Sequence, residues 1–393
     1  MKICMRVRNL EESATIAVSN KAAQMKADGI DVVSLGAGEP DFDTPEHIKE
    51  VAWRALRSGQ TKYAKPASGI PELKRAIVEK FRRDNRLEYD SSHVLVSVGG
   101  KEALWLAFAT LLDPEDEVII PAPYWVSYPE QVKLAGGKPI IIRAEFDHAH
   151  KITPDQLQRA LTPRTRCFVF NSPCNPSGAV YSPEEVLALA RVLEGHDDVI
   201  VFSDEIYDRL IYDGLQHRSF ATASDHAFNH TLTFNAGSKT YSMTGWRIGY
   251  AAGPLELIRN MAKLQSQTTS GAVTFNMHAL AAALTGDQSC VEQMRLEFEQ
   301  RAQYLHDRLN NMNGVVCQPP AGAFYVFPDV SSTYARLGVS GSIEWVGRLL
   351  EEAHVSLVPG AAFGSDQCVR LSFATSMANL KNGLDRLEKF LSF

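Results

Sequence analysis

The sequence contains no run near the roughly 20 apolar residues that a membrane-crossing helix needs. Its start, "MKICMRVRNLEESATIAVSN", carries positive charge but lacks the continuous apolar centre of a secretion signal. The six cysteines (4, 167, 174, 290, 317, 368) are scattered and none forms CxxC. This argues against a disulfide framework and against structural zinc, so a cytoplasmic protein with reduced thiols is expected. Charge of one sign is also scarce: 40 Lys and Arg against 46 Asp and Glu give a net −6, with no basic face of the kind nucleic acid selects. The one dense basic run, "KFRRDNR" (80–86), reads as the solvated end of a helix. "DHAH" offers His148 and His150 with no third ligand nearby, so it reads as a solvated loop, and no metal centre is expected. The pattern GxxxxGK[ST] is missing, as is GxGxxG after a strand. Their absence removes a P-loop nucleotide site and a nicotinamide or flavin Rossmann site.

What is present is a chain of 393 residues, longer than one core usually fills, so two domains are expected. Apolar residues recur at helical spacing in 46–59 and 71–84. "HVLVSV" (93–98) is a strand running into Gly99-Gly100, and "KEALWLAFATLL" (101–112) is the helix that follows. Further strands are read at 116–122, 138–143, 166–170, 198–203, 231–235 and 247–252, most separated by helical segments such as 125–135. Short apolar runs alternating with helices predict an α/β fold whose mostly parallel, seven-stranded sheet is covered on both faces. Beyond residue 285 the texture changes. A long amphipathic helix (291–311), the short strands "GVVCQ", "AFYVF", "VSLVP" and "CVRLSF", and helices at 342–353 and 377–391 suggest a smaller α+β domain. The expected division is 45–285 for the large domain, and 1–44 with 286–393 for the small one.

Ligands of such sheets gather at the carboxyl ends of the strands. There the sequence puts Gly99-Gly100-Lys101, then "NSPCNPSG" with Asn175, "DEIY" with Asp204 and Tyr207, and "SKTYSMTGWR" with Lys239 and Arg247. Taken singly, each has a plain structural reading: a turn, a helix cap, a surface lysine. Taken together they describe one ligand. Its phosphate is held by the backbone at 99–101 and by Arg247. Its protonated ring nitrogen pairs with Asp204. Its phenolic oxygen meets Asn175 and Tyr207, and its aldehyde is captured by Lys239 as a Schiff base. That ligand is pyridoxal 5′-phosphate, an electron sink whose Asp–pyridinium pair strengthens the sink.

At these residues the chain resembles the fold type I, class I aminotransferases of the aspartate aminotransferase family. "SLGAGEPDFDTPEH", "PYWVSYPE", "NSPCNPSG", "SDEIY", "SKTYSMTGWRIGY" and "VRLSFATS" carry the resemblance across nearly the whole chain. The resemblance implies that Trp125 stacks on the cofactor ring, that Arg370 grips the substrate α-carboxylate, and that Gly38 meets substrate through its backbone. It also implies that Tyr63 reaches the phosphate of a neighbouring subunit, making a homodimer with shared sites. Ala236 stands where some relatives have a phosphate-binding serine. "NPSG" stands for the commoner "NPTG". Catalysis is expected to be ping-pong through Lys239, from an amino acid to a 2-oxo acid.

The subgroup with a GGK lysine implies that Lys101 contacts the distal carboxylate of aspartate or glutamate. Lys101, Trp125, Asn175, Arg370 and Gly38 are thus the expected substrate contacts, and 2-oxoglutarate or oxaloacetate the acceptor. Prephenate-using members of that subgroup carry a basic residue shortly before the threonine matching Thr15, where this chain has Glu11 and Glu12. Prephenate, aromatic or other neutral amino acids, and cysteine-conjugate β-elimination stay as alternatives. A transcription-regulator reading would need a DNA-binding domain, for which the chain leaves no room.

Overall fold

The computed structural model describes residues 2–8, 10 and 14–392. Its strands are β1 (Val33–Ser34), β2 (Val94–Ser97), β3 (Glu117–Ala122), β4 (Lys138–Arg143), β5 (Thr165–Asn171), β6 (Ile200–Asp204), β7 (Thr231–Ala236), β8 (Gly249–Ala252), β9 (Tyr325–Val326), β10 (Val355–Ser356), β11 (Val358–Pro359) and β12 (Val369–Ser372). Seven of them form one sheet in the order β2-β8-β7-β6-β5-β3-β4. All its pairs are parallel except those of β8, which runs against both β2 and β7. Strands β2 and β7 are buried along their whole length, as a sheet covered on both faces requires. Edge strand β4 is more exposed and carries Lys138 and Arg143 at its ends, charges that discourage edge pairing.

Helices cover the sheet by burying one stripe each. Glu46–Arg57 buries Ile48, Ala52 and Ala55, spaced at i, i+4 and i+7, and packs on Thr274–Thr285. Gly100–Leu111 buries Ala103, Leu104, Leu106, Ala107 and Phe108 against the sheet. A second core gathers Phe298, Leu305, Trp345, Leu349, Leu384 and Phe390 around the three-stranded sheet β11-β12-β9. Here β1 pairs in parallel with β10, which fastens the amino-terminal segment to it.

Several local readings change. "GVVCQ" makes only an isolated bridge, Val316 to Asp329. "VSLVP" divides at Leu357 into β10 and β11, which pair with different strands. The "KFRRDNR" run is not all solvated, because Lys80 is buried in an ion pair with Asp208. His150 is not in a solvated loop either. Its ring packs edge-on against Phe146 and Phe327, and burial pulls its pKa down to about 4. Glu11 and Glu12 lie outside the described residues, as does the side chain of Thr15.

Candidate active site

The reversed strand β8 is what assembles the site. Its first residue, Gly249, pairs with Ser97 at the end of β2 and with Ala236 at the end of β7. Arg247, two residues earlier, therefore emerges at the carboxyl edge of the parallel strands. A side chain at Gly249 would put Cβ 2.5 Å from the amide nitrogen of Gly100, so only glycine allows β8 this close to the 99–100 turn. Gly99 has φ +80, and a Cβ there would sit 2.5 Å from the Arg247 guanidinium. Arg247 itself has φ +51 and donates to the Thr244 carbonyl at 2.8 Å. Among the described residues it has no carboxylate partner. Beside the open N–H groups where the helix Gly100–Leu111 begins, it makes a cradle for an anion.

Lys239 sits on the short helix Gly237–Thr240, directly after β7. Its Nζ donates to the Gly38 carbonyl at 2.5 Å. Burial, with help from the Arg370 and Arg247 charges, lowers its pKa to about 8 against the opposing pull of Glu39 and Asp204. Such an amine is largely neutral under mildly alkaline conditions and can act as a nucleophile or base.

Asp204 ends β6 in full burial. Its Oδ2 accepts from the Tyr128 hydroxyl at 2.6 Å and its Oδ1 from the Ile206 amide at 3.3 Å. Burial raises its pKa to about 6 in spite of these bonds. A carboxylate so placed is under-compensated, and a cationic group beside it would relieve the cost.

Arg370, in β12, is 2% exposed. It donates to the Gly36 carbonyl at 2.9 Å and to Asn175 Oδ1 at 3.0 Å. Its guanidinium lies over the Tyr325 and Phe363 rings. Its Nε has no partner and, among the described residues, no carboxylate pairs with it. A buried guanidinium with a free N–H is prepared for a ligand carboxylate.

Lys239, Asp204, Arg247 and Arg370 line one cavity of about 530 Å³, together with Gly38, Gly100, Lys101, Trp125, Asn175 and Tyr207. The Lys101 ammonium stands 5.0 Å from the Trp125 ring centre, and partial burial with the Arg247 charge lowers its pKa. Tyr207 shares a 3.0 Å hydroxyl contact with Tyr325. Gly99 backs the cavity through Arg247. Tyr63 stands apart, 81% exposed and off the cavity wall, so within one chain it is not brought to the site.

Residues that sequence reading did not single out include Tyr128, Glu39 and Thr244, whereas Asn171 was marked with Asn175 in "NSPCNPSG". Asn171 Nδ2 donates to the Asp204 carbonyl and its Oδ1 accepts the Asn175 amide, which fixes the "NSPCN" turn against β6. Thr244 donates to Glu39 at 2.7 Å across the cavity mouth. Tyr128 lay within the quoted "PYWVSYPE", three residues after Trp125, a spacing that puts both on one side of a helix turn.

The sequence model of the family described as "Aminotransferase class I and II" matches residues 30–387. An aspartate aminotransferase of Geobacillus stearothermophilus is 49% identical over 391 residues, which span 100% of this chain and 99% of that one. An aspartate/prephenate aminotransferase of Nitrosomonas europaea is 46% identical over 398 aligned residues, all of both chains. The aspartate aminotransferase of Thermus thermophilus, solved with maleate, superposes with a TM-score of 0.94 at 45% identity and covers both chains fully.

Proposed function

The chain belongs to the class I and II aminotransferases and shares their fold type I architecture, and we propose that it moves the amino group of L-aspartate or L-glutamate to 2-oxoglutarate or oxaloacetate using pyridoxal 5′-phosphate. The observation that carries this reading is the meeting of Lys239, Asp204, Arg247 and Arg370 in one cavity. The residues fit the cofactor. Arg247 and the helix start at Gly99–Lys101 offer an anion cradle, and the under-compensated Asp204 suits a cationic ring nitrogen. Trp125 offers a face to stack on, and Asn175 and Tyr207 bring polar groups for a phenolic oxygen. When bound, the cofactor supplies an aldehyde to accept an amino group and a ring that withdraws electrons from the adjacent carbon.

The remaining work falls to the protein. Arg370 holds the substrate α-carboxylate through its unpartnered Nε and its terminal nitrogens, which turns the Cα–H bond toward Lys239. Neutral Lys239 takes that proton at Nζ and returns it to the carbon on the far side of the transferred nitrogen. The Gly38 carbonyl, now accepting from Nζ, keeps the amine in place between the two events. Lys101 meets the distal carboxylate of a dicarboxylic substrate, which sets acidic amino acids ahead of neutral ones.

A second substrate, prephenate, is supported by relatives that bear that name, at 46% and 47% identity. We further assign 45–285 as the cofactor-holding domain and 1–44 with 286–393 as the smaller one, in line with the separate core around β9, β11 and β12. A homodimer accounts for the exposed Tyr63 and Trp53, which would otherwise face water. A cytoplasmic setting fits six free cysteines.

The test is the visible spectrum of cofactor-loaded protein on adding L-aspartate, and separately prephenate with an amino donor, alanine and phenylalanine. Bleaching of the yellow colour by aspartate, ahead of the neutral amino acids, is expected. Bleaching by a neutral amino acid but not aspartate would overturn the acidic preference. A protein that takes up no cofactor would overturn the whole reading.

A further inference from the structure

At the opposite edge of the sheet, three side chains from two segments come together. Asp197 lies in the turn that leads into β6, while His226 lies within the short helix Asp225–Asn229 and His230 caps its end, just before β7. One ligand atom from each lies within 4.8 Å of the other two. His226 Nε2 is 3.2 Å from Asp197 Oδ1. Two ligand atoms bound at about 2.0–2.1 Å in a tetrahedron are themselves about 3.3 Å apart, so this pair already has the spacing of one tetrahedral edge.

The histidines are oriented by the backbone. His230 Nδ1 lies 2.9 Å from the His226 carbonyl, so that nitrogen carries the proton and Nε2 keeps its lone pair. The two rings stack 4.1 Å apart at 18°, as residues four apart on a helical turn do. The helix is held at its start by Ser224, which accepts from the Ala227 amide. At its end, the His230 carbonyl accepts the Val201 amide of β6 at 2.8 Å.

We propose that Asp197, His226 and His230 bind a divalent transition ion of the zinc class, leaving further coordination positions to water. Two imidazoles and one carboxylate favour zinc, nickel or copper over magnesium and calcium, which take oxygen ligands. Because Asp197 is open to solvent, its carboxylate can swing the last ångström without disturbing the core. The ion would tie the starts of β6 and β7 together. The far ends of these strands carry Asp204 and lead to Lys239, so the clamp stiffens the strand pair that presents the site without touching it.

The experiment is zinc titration of chelator-treated holoenzyme by calorimetry, with magnesium as control and cobalt as a visible probe of coordination. One zinc equivalent per chain should vanish in His226→Ala/His230→Ala and weaken about tenfold or more in the isosteric Asp197→Asn. Zinc should raise the melting temperature of the parent protein and not of the double variant. Aspartate transamination should be unchanged in all of them, since none of the three lines the cavity. Equal zinc stoichiometry and affinity in parent and double variant would overturn the proposal, as would magnesium binding as tight as zinc. If the double variant does not fold, Asp197→Asn decides alone: an unchanged affinity there removes the site.

Discussion

Replacing Tyr128 by phenylalanine should change cofactor binding in a way that depends on pH. The Tyr128 hydroxyl donates to Asp204 Oδ2 at 2.6 Å in a fully buried setting. A hydrogen bond to a charged group is worth about 1.5–3 kcal/mol, or about one to two pKa units. Without it, the Asp204 pKa should climb from about 6 to about 7–8. The sign follows from which state holds the proton. The folded-state pKa lies above the unfolded one, so neutral Asp204 favours the folded apo-protein at low pH, and this contribution is lost as pH rises through about 6. A ligand that needs the carboxylate ionised pays in affinity by one plus ten to the power (pKa − pH). At pH 6 that factor is about 2 for the parent and about 11–101 for the variant, a ratio of about 5–50. Near pH 9 both factors approach about 1 and the affinities should converge. The assay is titration of apo-protein with pyridoxal 5′-phosphate from pH 6 to 9, followed by absorbance. A loss that is the same at every pH would mean that Tyr128 acts only by packing. No loss at pH 6 would refute the coupling to Asp204.

Three further outcomes follow from the same geometry. With a pKa of about 8, Lys239 should react with the cofactor aldehyde about a hundredfold faster at pH 9 than at pH 6, read as borohydride-fixed label per unit time. A rate still climbing beyond pH 10 would contradict the depressed pKa. Arg370→Lys keeps a positive charge but loses the planar fork, so kcat/KM for aspartate should fall by about 3 kcal/mol, more than a hundredfold, with little change in cofactor affinity. Glu205→Gln should lower unfolding stability by about 3 kcal/mol in a denaturant titration. The Glu205 carboxylate accepts from Ser203, Ser219 and Asn85 and meets His217, and an amide would set an N–H against one of those donors.

The parts legible in the sequence were those written in local pattern. All seven strands of the large sheet were marked by short, mostly apolar runs, because the inner strands are covered on both faces and even the exposed edge strand β4 keeps an apolar centre, Ile140–Ile142. The helices read at 342–353 and 377–391 are Ser342–Ala353 and Met377–Leu391 in the structure. The chemistry was legible because strand ends carry it: Lys101, Asn175, Asp204 and Lys239 each follow an apolar run by a few residues, and all line the cavity. What the pattern hid was long-range. "VSLVP" looks like one strand, and only the partners β1 and β12, far away in sequence, split it in two. His150 looks solvated among Asp147 and His148 until Phe327 closes over it. The triad of Asp197, His226 and His230 spans 34 residues and resembles no compact ligand motif.

Arg247 shows why motif and geometry had to be joined. Read as the first residue of a strand, an arginine at 247 would be an unpaired charge at the rim of a core, and parallel order would set it at the wrong edge, away from Asp204 and Lys239. Two features of the fold reverse that outcome. Strand β8 runs against its neighbours, so its beginning, not its end, meets the ends of β2 and β7. Arg247 also adopts a left-handed backbone conformation just before the strand, against the ordinary preference of a non-glycine residue. This turns its guanidinium against Gly99, where any side chain would collide with it. Strain of that kind persists only where the surroundings impose it, and here the missing side chains of Gly99 and Gly249 open the space that the guanidinium and β8 take up. The cation is thus held at a helix start and, among the described residues, no carboxylate pairs with it, which is the condition for it to take its counter-ion from a ligand.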